Sequence, residues 1–517
     1  MATALILALA LIAAVGLASF PAAAAPHAQD LPTPTLFPAE DTPYTLDVVG
    51  GQDETLTFPG AELDGFTIGE TAVSSQYPRG MTFAVSAASD GGEIQEAILF
   101  VRFLHGSGTR FAAEYDSESE QWIARPWERG DEQPAWTHFN FYWRVRDSSG
   151  ASVDTEPQTV DYWDPGREWF RVESEHVILY WTGFGEDDPD TIAQTLADRV
   201  AASYPRIVAG FGRALSYKPV SVVYPNREAL AETSGAGVER NRVAGFTSDS
   251  LGMIVQILRD TSIPPGNENC IWMTKPEDWT MERRINTIYA VTVHEMVHLF
   301  QYDIQGGPRG PEWYTEGQPE WFSNTSRNYD ERLRMLGTLQ DIPSLTTNIG
   351  SDLTQADGCY ALSYNVGPSF LNFVFTNYGG VDVHLRIVEL MRSENASVYA
   401  ALEQITGKTF LELENEWRVY LGMAPLALAD IDPASALEPA IDPIAEVGET
   451  VTLPASPPLP AVYEKPGPNS LYSGQCFANT QVEILQIGSL DGVDYYQVNC
   501  MGQIGWMSRD QLVGPGQ

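Results

Sequence analysis

Basic residues are scarce in this 517-residue chain: 30 Lys plus Arg stand against 69 Asp plus Glu, a formal net charge of −39. A surface of that sign repels phosphate backbones and anionic lipid heads, which argues against a nucleic-acid or polybasic membrane function. No Lys or Arg occurs before Arg79. Cysteine is equally sparse: Cys270, Cys359, Cys476 and Cys500 include no C-x-x-C pair, which excludes a zinc knuckle or dithiol redox motif. Beyond the N-terminal segment no apolar run reaches about 18 residues, so no stable membrane insertion is expected once that segment is removed. No long-period repeat is evident.

What is present is ample core material, 43% hydrophobic and 11% aromatic with 13 Trp, in a chain long enough for two to four domains. Ala4 to Phe20 is almost unbroken apolar and is followed by the small residues Ala22 to Ala25, so residues 1–24 read as a signal peptide, with an uncleaved anchor as the alternative. The expected location is secreted or at the cell surface. In an oxidising compartment the economical pairing is Cys270 with Cys359 and Cys476 with Cys500, each pair within one unit.

A Pro-rich lead-in occupies 25–43. Residues 44–165 then read as short strands between Gly, Asp and Ser turns. In WTHFNFYWRVRD, Phe139, Phe141, Trp143 and Val145 alternate with polar neighbours, which predicts an antiparallel β-sandwich, immunoglobulin-like in architecture. From 170 to 423 the pattern is α+β. HVILYW, PVSVVY and MIVQIL read as strands, Asp188-Pro189 starts a helix, and a long helix runs from Met281 to about Gln305. Residues 424–460 are rich in Pro and Ala and read as a linker, and 461–517 as a small all-β unit.

The long helix carries His294-Glu295-Met296-Val297-His298. Imidazoles at i and i+4 share one helix face and can bind one Zn2+, while Glu295, one residue round, can act on water as a general base. With seven His in the chain, about 0.01 chance matches to H-E-x-x-H are expected, so the motif carries weight. A catalytic zinc takes three protein ligands, and EWYTEGQPEWF supplies a third candidate, Glu316, with 17 residues between it and His298. His105, His138, His176 and His384 have no such context and read as surface or packed residues.

Together HEMVHLFQ and WYTEGQPEWF resemble the gluzincin metallopeptidases, in particular their peptidase MA-like branch, over about residues 170–423, including YALSY and LENEWRVYL. The resemblance implies a zincin-type fold, one zinc held by His294, His298 and Glu316, Glu295 as base towards a zinc-bound water, and a peptide or protein substrate. Gln318-Pro319 departs from the small or aliphatic residues usual after E-G, so the Glu316 helix is expected to start late or kink. Glu320 is the fallback ligand and more naturally a partner that orients a histidine, with Glu312 behind it. Tyr364 and Tyr360 are candidate donors to the developing oxyanion. Residues 461–514 resemble bacterial SH3-like domains through VEILQI, an Asp-Gly turn, DYYQVN and the G-W-M ending. That resemblance implies a small barrel binding cell-wall or surface material, with Trp506, Tyr495 and Tyr496 as groove candidates. The competing reading of the whole chain is a non-catalytic surface-binding protein with an inactive peptidase-like domain.

Overall fold

The computed structural model describes residues 41–128, 133–234, 245–258, 280–323, 328–335, 342–346, 363–426, 434, 437–454, 461–463, 465–467, 472–476, 479–500 and 503–513. The expected signal peptide, Cys270, Cys359 and Tyr360 lie outside them.

The first strand, β1 (Tyr44–Gly50), belongs to neither sandwich sheet and pairs in the central sheet, with β13. Two antiparallel sheets follow. One runs β2 (Thr55–Phe58), β4 (Phe66–Ser75), β5 (Met81–Ser89), β9 (Gln121–Ala124), β8 (Glu114–Asp116), with β3 (Ala61–Leu63) on β4. The other runs β11 (Ser152–Asp154), β10 (Thr137–Asp147), β6 (Ile94–Arg102), β7 (Gly108–Ala112), with β12 (Gln158–Tyr162) on β10. The alternation read in WTHFNFYWRVRD is β10, whose Phe139, Phe141, Trp143 and Val145 are buried. Phe141 meets Phe83 of the opposite sheet edge to face at 5.0 Å, the geometry aromatic rings prefer.

The central sheet has the order β1, β13 (Glu168–Ser174), β14 (Ile178–Trp181), β15 (Val220–Tyr224), β17 (Met253–Ile257), β16 (Gly245–Ser248). β14, β15 and β17 are parallel, and β16 returns antiparallel as an edge. β15 and β17 are buried along their whole length and β14 at all but Ile178, which explains their largely apolar sequences; the buried polar residues Ser221 and Gln256 hydrogen-bond each other. One face packs on α1 (Pro189–Phe211) and on α3 (Met281–Phe300), which follows α2 (Arg227–Ser234). Asp188 caps α1 by accepting from Thr191 N–H, as Asp188-Pro189 implied.

The other face shares a core with the sandwich. Trp136 stacks on Tyr180 at 4.6 Å, and the Tyr224 hydroxyl accepts the Ala135 N–H at 2.9 Å. Sandwich and central sheet are therefore welded together; truncating large rings in such a core costs about 3–5 kcal/mol each.

Beyond α3 come α4 (Glu312–Thr315), α5 (Gly317–Ser323), α6 (Tyr329–Met335), α7 (Ser363–Tyr378), α8 (Val381–Ser393), α9 (Val398–Thr406) and α10 (Phe410–Leu421), packed round Trp313, Phe370 and Trp417. A Thr409–Glu412 capping box starts α10.

The C-terminal unit is a six-stranded antiparallel sheet in the order β18 (Thr450–Thr452), β21 (Gln481–Leu490), β22 (Val493–Cys500), β23 (Gln503–Ser508), β19 (Ala461–Tyr463), β20 (Tyr472–Gln475), with α11 (Arg509–Val513) packed on β22 and β23. Among the described residues its end strands, only three and four residues long, do not pair with each other, so the ladder stays open where a barrel was expected. The segment read as linker also joins it. β18 lies on β21, and the backbone amides of Ile441 and Asp442 donate to the Asp494 carboxylate. Proline-rich composition concealed this, because the contacts are made by backbone amides to a residue some 50 positions away. The Cys476–Cys500 disulfide is present, the kind of bond an oxidising, extracytoplasmic compartment sustains. Among the described residues no helix is long and apolar enough to cross a membrane.

Candidate metal centre

Thr280 caps α3 by accepting from Arg283 N–H, and the apolar residues Ile288, Val293, Met296 and Val297 fix its rotation against the sheet. That rotation leaves His294 and His298 side by side, ring centroids 5.1 Å apart, facing α5. Between α4 and α5, Glu316 continues in right-handed helical backbone, and Pro319 falls in the first turn of α5, where its missing N–H costs no helical bond. The break expected from Gln318-Pro319 is thus the short step between two helices, and it aims Glu316 back at α3.

Glu316 Oε2 lies 3.2 Å from His294 Nε2 and 3.5 Å from His298 Nε2. The donor atoms of His294, His298 and Glu316 all lie within 4.8 Å of one another. Donors held about 2.0–2.2 Å from a common tetrahedral Zn2+ stand about 3.3–3.6 Å apart, a spacing that the two Glu316–histidine separations match, so the set could hold such an ion.

Each histidine is steered from behind. His298 Nδ1 lies 2.8 Å from Gln301 Oε1, while Gln301 Nε2 donates to Thr315 O at 2.9 Å and to Gln318 Oε1 at 3.2 Å. Because the amide nitrogen of Gln301 is occupied, its oxygen faces the ring and accepts from Nδ1, which leaves Nε2 turned towards Glu316. His294 Nδ1 meets Glu320 Oε1 at 3.3 Å, and Tyr329 donates to Glu320 Oε2 at 2.5 Å. Glu320 therefore stands behind the ring of His294, away from the ligand atoms. Glu312 accepts from Ser363 and is not in the cluster.

Glu295 is buried and outside the ligand set, its Oε2 accepting from Thr247 Oγ1 of β16 at 2.8 Å. Tyr364, at the start of α7, lies nearly parallel to His294 at 5.9 Å and is hydrogen-bonded to Glu316. Burial, then the Glu316 charge, raises its phenol pKa, so it is a neutral donor. For His294, burial opposes charging, but the hydrogen bonds of Glu316 and Glu320 outweigh it and raise the imidazole to about 10. Burial alone would raise Glu316 too, whereas its bonds to the two histidines hold it well below the ordinary carboxylate range. Three carboxylates round one imidazole pair make a pocket that favours positive charge.

Sequence reasoning missed Gln301, Thr247 and Tyr329. Gln301, three residues after His298 on one helix face, carried a readable signal; Thr247 and Tyr329 carried none, because tertiary folding alone brings them near. Of the remaining histidines, His384 is packed among Phe211, Phe322 and Phe375, His176 stacks on Tyr204, and His138 pairs with Asp161. In the C-terminal sheet Trp506 and Tyr496 are buried, and Tyr495 alone of the three groove candidates is partly exposed.

No family model and no curated protein matches the chain. Among solved structures it is similar to the crystal structure of Legionella pneumophila aminopeptidase A in complex with aspartic acid, at 11% identity and a TM-score of 0.27, over 70% of this chain and 38% of that one. The chain thus matches under two-fifths of that protein's length, and its own metal-centre geometry carries the functional reading.

Proposed function

We propose that the protein is a secreted zinc-dependent metallopeptidase of gluzincin type, with His294, His298 and Glu316 as ligands and Glu295 as general base. The single observation that carries the reading is the separation of roles in one cluster: three donors converge, and the Glu295 carboxylate beside them is held by Thr247 without joining the set. A structural zinc site takes four protein ligands, whereas a catalytic one takes three.

Bound Zn2+ would supply Lewis-acid polarisation of a scissile carbonyl and acidify water. Glu295 accepts a proton from the attacking water and returns it to the leaving amine, with Thr247 Oγ1 fixing which carboxylate oxygen is free. Tyr364 donates its hydroxyl towards charge developing on the carbonyl oxygen, moving off Glu316 as it does so. Gln301 and Glu320 keep the imidazoles in the ligating tautomer. The C-terminal sheet is proposed as an SH3-like module that binds cell-wall or surface material, a role that falls on its partly exposed Tyr495 more than on buried Trp506 or Tyr496.

The test is an unbiased peptide-library digest with metal-loaded protein. Cleavage abolished by chelation and restored by zinc is expected. A folded, zinc-loaded wild type that cleaves nothing would return the chain to the class of surface-binding proteins.

A further inference from the structure

Helix α4, which carries Glu316 at its C-terminal end, is four residues long and starts at Pro311 with no side-chain cap. A helix of one turn does not hold itself in place in water, so its position is set by what grips it. Gln301 of the long-helix segment grips the Thr315 carbonyl. A second grip is Trp313, whose fully buried indole donates from Nε1 to the Leu345 carbonyl at 2.7 Å. We propose that the buried Glu414–Arg418 pair of α10 is a positioning device for Glu316, acting through residues 342–346 and Trp313.

Residues 342–346 form neither helix nor strand, so their backbone groups need partners from elsewhere. Arg418 donates from Nη2 to the carbonyls of Ile342 and Pro343 at 2.8 and 2.9 Å. Glu414 accepts the Leu345 N–H at 3.1 Å and the Ser344 hydroxyl at 2.9 Å. Four residues apart on α10, the two side chains share a helix face, and Arg418 Nε donates to Glu414 Oε1 at 3.0 Å. One ion pair therefore fastens this strap to α10. Its Leu345 carbonyl then takes Trp313 of α4, with the Tyr399 hydroxyl of α9 as a second donor at 3.0 Å.

A metal ligand has to be held to within about 0.5 Å of its working position, and its supports decide whether it is. The Glu316 N–H bonds to the carbonyls of Glu312 and Trp313, so a shift of the indole moves the backbone of the ligand. Helix α7 closes off another direction, since a Cβ at Gly367 would stand 1.9 Å from the Trp313 carbonyl oxygen. An ion pair as deeply buried as Glu414–Arg418 adds little net stability, because the desolvation of both charges offsets their attraction. What it supplies is a set of directed hydrogen bonds that fixes the strap in one position, which apolar side chains of similar size would not do.

The inference rests on Glu316 being a metal ligand, so wild type and Glu316→Ala are measured alongside. Zinc affinity of the folded full-length protein is read by chelator competition and metal-free stability by urea titration. Glu414→Leu/Arg418→Met removes both charges together and leaves neither buried alone; its zinc affinity should fall at least tenfold, the lower end of the usual loss of an outer partner. Trp313→Phe, which keeps a ring but loses the Nε1 donor, should lose as much, and the triple variant no more than either. Tyr399→Phe loosens the same carbonyl without touching α4, so it should lower stability and leave zinc affinity unchanged. Unchanged zinc affinity in Glu414→Leu/Arg418→Met, or a loss in Tyr399→Phe equal to that in Trp313→Phe, overturns the inference while sparing the ligand set. If the double variant does not fold, Arg418→Lys, which keeps the charge but loses the fork to Ile342 and Pro343, is judged by the same criterion. Wild type that takes up no zinc, or zinc retained by Glu316→Ala, overturns the ligand set and the inference with it.

Discussion

Glu320 Oε1 stands 3.3 Å from Nδ1 of His294, while Glu316 Oε2 stands 3.2 Å from Nε2 of the same ring. One carboxylate is thus placed to share an ion with the imidazole and the other to hold the ring in place. Glu316→Ala should abolish stoichiometric zinc binding. Glu320→Ala should weaken it by roughly 10–100-fold, the usual loss when a ligand's outer partner is removed. Zinc content after dialysis against graded chelator reads both, and retention in Glu316→Ala with loss in Glu320→Ala would reverse the assignment.

Gln301 is fully buried and joins His298 to the Thr315 carbonyl and Gln318, so it couples α3 to the segment that carries Glu316. Gln301→Leu keeps the volume but leaves those groups unpaired. Zinc affinity should fall by about 10–100-fold, and metal-free stability by about 1–3 kcal/mol. Chelator competition and urea titration measure the two separately; an unchanged zinc affinity would mean that His298 is oriented by something else.

The helix that carries His294 and His298, and the short helices that follow it, were legible because both rest on short-range rules. The i,i+4 spacing fixes two histidines on a face, and Pro319 marks a helix start. Elements with strict alternation, such as β10, or continuous apolar runs, such as β15 and β17, were equally plain. What stayed hidden was long-range pairing. β1 looked like the sandwich's first strand, yet its seven residues pair with β13, because strand sequence does not encode the partner. Thr247 could not be connected with Glu295 across 48 positions, and residues 438–453 looked like linker because backbone amides hold them.

Glu295→Gln preserves shape and the Thr247 contact but removes the proton acceptor. Turnover should drop by roughly 10²–10⁴, with zinc content unchanged, whereas Thr247→Val should cost less, because it only frees the carboxylate to wander. Single-turnover cleavage of a library-derived peptide is the measurement. Wild-type rates in Glu295→Gln would remove Glu295 from the chemistry.

His384 sits fully buried on α8 among aromatic rings, its Nδ1 2.8 Å from the Gly210 carbonyl and its Nε2 without a hydrogen-bond partner among the described residues. Burial, with a smaller contribution from Arg206, lowers its pKa from 6.5 to about 4. The sign is set by the protonation states. Below pH 6.5 the unfolded chain takes up a proton that the folded chain refuses until about pH 4, so this stability is complete above pH 6.5 and fades as the pH falls towards 4. The full loss amounts to about 3 kcal/mol. Asn can reproduce the Nδ1–H donor but does not titrate. The stability difference between wild type and His384→Asn, from urea midpoints taken between pH 7 and 4, should therefore shrink by that amount on acidification. Other titrating groups cancel in the difference, so a gap that stays constant across the range would show that His384 is protonated in the folded state or exposed to water.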